Sequence, residues 1–198
     1  MSYDFILGKL PFSRDEIFVD ASSSWGIGGF LGYNYFYYSN RDLRPFHQLF
    51  AECTNKTCMD IPINSLPIAY LELLAAMLSV VCFAHQCQGQ RVRLNCDNPN
   101  AVAWLQKSRC PAGIGFRILS VVELYELRYQ VKIATCHIMG EGNSSADSLS
   151  RGVVPGWLKK WGEQRHIDLD LILHLLKNPV EARKHLIDRN VSFYQKEM

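Results

Sequence analysis

The sequence predicts an α/β domain with a mixed sheet flanked by helices. Three observations carry that prediction. Runs rich in β-branched and aromatic residues alternate with helically spaced apolar runs, in the order three strands, helix, strand, helix, helix, strand, helix. Acidic residues fall at strand ends and adjoining helix starts, where such folds bind ligands. A chain of 198 residues with 48% hydrophobic content suffices for one domain, with at most an appendage.

Residues 1–14 read as a lead-in, with Pro11 interrupting any early element. Glu16 to Ala21 is a β-rich run that delivers Asp20 at its end and suits a central strand. Ser22 to Ser24 and Trp25-Gly26 supply turn chemistry. Gly26 to Tyr33 is so rich in glycine that it holds as a strand only if another backbone or a ligand comes close. Tyr35 to Ser39 completes a β-meander. Residues 40–67 read as an insertion or long loop, with a short strand near Phe46 to Phe50.

Ile68 to Cys87 is expected to be helical. Leu71, Leu74, Ala75, Leu78 and Cys82 recur at helical spacing, Pro67 precedes the start, and Glu72 falls in the first or second turn. Gln90 to Cys96 alternates, with Val92, Leu94 and Cys96 on one face, and ends at Asp97. Asn100 to Lys107 is a short helix, Ser108 to Gly115 a linker and Phe116 to Leu127 a second helix. Tyr129 to Ala134 reads as the last strand. Two glycines then lead to Asn143 and Ser144 as N-cap residues of a short helix carrying Asp147. The domain is thus expected over 15–152. Residues 153–198 form a helical extension, with leucines and isoleucines at helical spacing from Ile167 to Leu176, Pro179 as a break, and a basic stretch from Glu181 to Arg189. It either packs back on the domain or binds a protein partner through the apolar face of Leu169 to Leu176.

Composition excludes several classes. Content this apolar is too high for a disordered chain. The formal net charge of +2 argues neither for nor against nucleic acid, so any basic surface has to be local. Seven cysteines at irregular spacings lack the paired knuckles of a zinc ribbon and read as reduced thiols of an intracellular, cytoplasmic or nuclear protein. Met1 to Lys9 has no apolar core of a signal peptide, and the apolar run from Leu71 to Ala84 is short for a bilayer and contains Glu72, so no membrane partner is expected.

Asp20, Glu72, Asp97 and Asp147 stand out because each sits in its own local pattern. These are Val19-Asp20-Ala21-Ser22 before Gly26-Ile27-Gly28-Gly29; Leu71-Glu72-Leu73-Leu74-Ala75; Cys96-Asp97-Asn98 before Ala101-Val102; and His137-x-x-Gly140-x-x-Asn143-x-x-Ala146-Asp147-x-Leu149-Ser150-Arg151. Carboxylates converging from separate elements suit two hard cations such as Mg²⁺, which clamp the attacking and leaving oxygens of a phosphodiester. Without metal they repel, and at least one pKa should rise.

In these patterns, in this order, the sequence from about Glu16 to Gly152 resembles the RNase H domain of reverse-transcribing retroelements. It is most similar to the tyrosine-recombinase (DIRS-type) group and next to the Gypsy-type group. The resemblance implies an RNase H-like fold with a five-stranded mixed sheet in the order 3-2-1-4-5. It implies endonucleolytic hydrolysis of the RNA strand of an RNA–DNA hybrid with two Mg²⁺ or Mn²⁺ ions. Asp20 would bridge both metals, Glu72 and Asp97 would hold one of them and orient the water, and Asp147 would complete the other site. His137 would assist proton transfer or product release; the alternative is that it only packs.

Hybrid recognition would fall to Ser22, Ser23, Ser24, Asn98, Asn100 and the backbone at Gly28 and Gly29, all of which also suit ordinary turns. Ser148 stands where the family usually has alanine or valine. No basic protrusion separates Lys107 from Phe116, so affinity for a hybrid would lean on an upstream reverse transcriptase domain or the basic tail. The expectation is a piece of a retroelement polyprotein or a host protein derived from one. A catalytically silent, domesticated domain that binds protein or nucleic acid is the second reading. An integrase- or resolvase-like nuclease is the third, and the late signature argues against it.

Overall fold

The computed structural model describes residues 10–53, 67–111 and 113–178. Its centre is a mixed six-stranded sheet. Strands β1 (Ile17–Ser22), β2 (Gly26–Leu31) and β3 (Asn34–Ser39) form the expected antiparallel meander. Strands β4 (Arg91–Cys96) and β5 (Lys132–His137) add in parallel beyond β1. The two-residue β6 (Glu163–Gln164) adds in parallel to β3, so the order is β5-β4-β1-β2-β3-β6.

The expectation of five strands in the order 3-2-1-4-5 is corrected at one edge. The first five strands keep that order, and the chain after the signature supplies a sixth through Glu163 N to Tyr33 O at 2.9 Å and Arg165 N to Tyr35 O at 2.7 Å. Nothing in Glu-Gln announces a strand. It is recruited because β3 would otherwise present a row of unpaired backbone groups.

Helix α1 (Arg44–Cys53) corrects the expected short strand near Phe46 to Phe50. Phe46, Leu49, Phe50 and Cys53 recur at helical spacing, and Pro45 suits a first turn, where its missing N–H costs nothing. The rest of the expected insertion, 54–66, lies outside the described residues, as does the basic stretch 181–189. Helix α2 (Ile68–Phe83) crosses one face of the sheet, joined there by α3 (Pro99–Lys107) and α4 (Gly113–Tyr129). With its following 3₁₀ turn, α2 is long and apolar enough by composition to cross a membrane, but 78% of that apolar window is buried inside the domain. Its apolarity is that of a core helix, wedged between the sheet and α4.

The last inner strand also moves. Helix α4 continues to Tyr129, Gln130 turns the chain with a φ of 50°, and β5 runs from Lys132 to His137 rather than from Tyr129 to Ala134. Two short helices, α5 (Ser144–Ser150) and α6 (Gly156–Trp161), cover the opposite face, where Leu149 and Leu158 pack with Tyr35. Helix α7 (Leu169–Lys177) buries Ile172, Leu175 and Leu176 in the main core beside α4 and α1. The apolar face open to a protein partner in the sequence is therefore used by the domain itself.

Candidate active site

The site forms where two parallel strands part. The β1–β4 pairing runs only through Ile17↔Leu94 and Phe18↔Asn95. Beyond it, the β4-facing backbone of β1 has no strand partner, which is the switch-point crevice of a mixed α/β sheet. Two side chains fill the fork. Asn143 Nδ2 donates to Val19 O at 2.8 Å, and Ala21 N donates to Glu72 Oε1 at 3.1 Å. Glu72 begins the second turn of α2 and reaches the fork from the helical face.

Asp20 points to the opposite face, beneath α5, and is 4% exposed. The Ser150 hydroxyl, which donates to Asp147 O at 2.9 Å, lies against the Asp20 carboxylate. Asp97 follows β4 directly and lines the same crevice. Its carbonyl oxygen lies 3.0 Å from His137 Nε2, which places the exposed imidazole at the rim. Asp147, in the first turn of α5, holds Arg151 through Oδ1, with Nε at 3.0 Å and Nη2 at 2.9 Å.

Electrostatics tie these acids into one cluster. Burial, with Asp97 and Asp147 nearby and the Ser150 hydroxyl opposing, pushes Asp20 up to about 7. Burial, with Asp20 and Asp97 nearby, pushes Glu72 up to about 9. The expected rise in pKa thus falls on the two most buried members, and its leading cause is desolvation rather than repulsion.

Glu72, Cys96 and Asp97 each place one ligand atom within 4.8 Å of the other two. The thiol is the weak member of that trio. Burial and the Glu72 carboxylate raise its pKa, so it remains a thiol that donates to Glu72 Oε2 at 3.6 Å, whereas a metal ligand must be a thiolate. The oxygens of Asp20, Glu72 and Asp97 fit a hard cation better.

The remaining predicted residues divide. Ser22 is buried and shares a hydrogen bond with Ser24 at 3.0 Å, while Ser23 is exposed. Asn98 caps α3, accepting from Asn100 N at 3.1 Å and Ala101 N at 3.2 Å, and Asn100 is exposed in the first turn. Gly28 is not open to a substrate: α5 lies on it, and Leu149 and Ser150 fill the space a side chain would need. Gly29 meets Ser79 on the α2 side, which explains why β2 needs glycines.

Sequence reasoning missed the work of Asn143. Its side chain makes no cap bond and instead ties the signature loop to β1. It also missed Ser150 and Cys96. The first lay in plain view in Leu-Ser-Arg, but nothing in the sequence marks Cys96 as more than a core position. No protein-family model, no curated protein and no solved structure matches the chain.

The raised carboxyls make the stability of the metal-free protein depend on pH. A carboxyl whose pKa is higher in the fold than in the unfolded chain binds its proton more tightly when folded. Stability is then full below the unfolded pKa and falls as pH rises through the folded one. Asp20 acts up to about 7 and Glu72 up to about 9. Glu126, also raised by burial, adds to the same slope. In a chelator, the melting temperature should fall by roughly 5 °C or more between about pH 5 and pH 9, measured by circular dichroism. A flat profile would show that the cluster does not carry this burden.

Proposed function

We propose that this chain is a metal-dependent ribonuclease H of retroelement descent, with an RNase H-like fold, that hydrolyses the RNA strand of RNA–DNA hybrids. The observation that carries the reading is the gathering of Asp20, Glu72 and Asp97 at the fork between β1 and β4, with Asp147 coupled electrostatically to Asp20 from α5. The four come from four separate elements and from the four motifs of the resemblance. Desolvated carboxyls held together at this cost to the metal-free fold are suited to a cation.

Asp20, Glu72, Asp97 and Asp147 would hold two Mg²⁺ or Mn²⁺ ions. When bound, such ions supply Lewis-acid stabilisation of the phosphoryl oxygens and lower the pKa of a bound water. The chain's own residues do the positioning. Glu72 is fixed by the Ala21 amide, Asn143 ties the start of α5 to β1, and Ser150 lies against Asp20 from the end of α5. Arg151 neutralises Asp147 at the edge of the crevice, and its guanidinium is half-exposed toward an incoming phosphate backbone. His137 stands at the rim, where an imidazole exchanges protons with solvent as products leave.

His137→Ala should lower kcat about 10²-fold with little change in melting temperature, because the ring is exposed and its hydrogen bond is peripheral. An unchanged kcat would assign His137 to packing.

The reading is tested by offering the protein RNA–DNA hybrid, duplex RNA and duplex DNA of one sequence, each with Mg²⁺ and with Mn²⁺. Cleavage confined to the RNA strand of the hybrid is expected. Cutting of duplex DNA would replace this reading with an integrase- or resolvase-like one.

A further inference from the structure

Across α5 from the carboxylates, the same sheet face carries side chains that the cleavage reading leaves unused. Phe18 and Phe30 stack with centroids 5.0 Å apart. The Trp157 indole stands edge-on to Phe30 at 5.4 Å and to Tyr33 at 6.2 Å. Its Nε1 donates to Ser145 Oγ at 3.4 Å, which ties α6 to α5. One turn on, Trp161 is 65% exposed, and Tyr33 is 60% exposed. Packing accounts for Phe30 and for the covered part of Trp157. It does not account for Tyr33 and Trp161, whose rings lie mostly in water.

Charge gathers at the same place. From Arg151 to Arg165 four cations meet one acid, Glu163, in a chain whose whole net charge is +2. Arg151 and Arg165 have acidic partners in Asp147 and Glu163. Lys159 and Lys160 are exposed and make no ion pair among the described residues, and Lys160 Nζ sits 4.7 Å from the centroid of the Trp161 ring.

We propose that α6 and the β2–β3 turn form a platform for single-stranded nucleic acid, with bases stacking on Trp161 and Tyr33 and phosphates meeting Lys159 and Lys160. Exposed rings on a rigid support beside unpaired cations match that ligand: every base has a face to stack, and every phosphate a charge to neutralise. An acidic peptide would satisfy the lysines but offers the rings no run of flat partners. Asp20 pairs with Gly28, and Tyr33 lies five residues beyond Gly28 toward the other end of the sheet, about 15 Å along the strand. The proposal does not depend on the ribonuclease reading, since binding needs no cleavage.

The test uses the full chain and a short single-stranded oligodeoxythymidine, which a ribonuclease cannot cut. Tryptophan emission should be quenched saturably, with affinity falling steeply as salt rises. Trp161→Ala should weaken binding about tenfold. Lys159→Gln with Lys160→Gln should weaken it and flatten the salt dependence. These side chains are exposed, so the variants should melt with the parent protein. Absence of saturable quenching at low salt, or equal affinity in parent and variants, overturns the proposal. So does concentration-dependent self-association that Trp161→Ala abolishes without any oligonucleotide binding, which would assign the patch to a second copy of the chain.

Discussion

Replacing Asp20 by asparagine is expected to lower hydrolysis of a hybrid by about three orders of magnitude, while raising the melting temperature of the metal-free protein. The two effects share one cause. The carboxylate sits at 4% exposure beneath α5, with Asp97 and Asp147 close enough to raise its pKa further. Ionising it there costs the fold stability, at about 1.4 kcal/mol for each pKa unit of elevation, and in the proposed function the gain is an oxygen ligand for a cation. Asparagine has the same shape, keeps an acceptor for Ser150 and removes the charge. The metal-free fold should gain on the order of 2–4 kcal/mol near pH 8, or about 5 °C or more. Lost metal stabilisation of the transition state is worth several kcal/mol, hence the fall in rate. A variant that loses activity and also melts lower would show that Asp20 is structural.

Gly28→Ala should lower stability and activity together, and it should act through the other layer. An added Cβ would lie 2.5 Å from Leu149 Cβ and 2.7 Å from the Leu149 carbonyl carbon, so the α5 backbone itself must give way. Overpacking of that kind costs about 1–3 kcal/mol. Displacing α5 moves Asp147, Ser150 and Arg151 together, away from Asp20. Activity should therefore drop by more than tenfold even at temperatures where the variant remains folded. Thermal melts and hybrid cleavage measured on the same preparation check both halves. A fully active Gly28→Ala protein would mean that α5 does not set the geometry of the acids.

What the sequence made legible is set by period and by local chemistry. The meander, α2, β4 and the short helix within the signature follow from alternation, helical spacing and glycine placement. Each of the four acids could be assigned to its element because each pattern is local. The misreadings are of a different kind. Helix α1 was obscured by prolines and cysteines around an ordinary helical period. The two-residue β6 exists only because β3 offers an unpaired edge, a tertiary fact with no sequence signal. The shift of the last strand to Lys132–His137 reflects α4 continuing into a run equally apolar as helix or strand.

At the site, the same division holds. The signature placed Asp147, but not its pairing with Arg151, which depends on the helical turn between them. Asn143 looked like a cap because asparagine before a short helix usually is one. Its actual partner, Val19 O, lies 124 residues away in sequence, across a fork that only the fold creates. Gly28 looked accessible because glycine often marks close approach of a ligand. Here the approaching backbone is the chain's own α5.

The central claim is that Asp20, Glu72, Asp97 and Asp147 form a hydrolytic metal site. It is tested most directly by incubating a strand-labelled RNA–DNA hybrid with the protein and Mg²⁺ or Mn²⁺, beside Asp20→Asn and Asp97→Asn proteins whose folding is verified by circular dichroism. The account predicts metal-dependent cutting of the RNA strand alone, lost in both variants. Intact RNA after exposure to folded parent protein at high enzyme and low salt would contradict it, and so would cleavage that persists in both variants. The first of those results would leave a carboxylate cluster kept for binding rather than for chemistry.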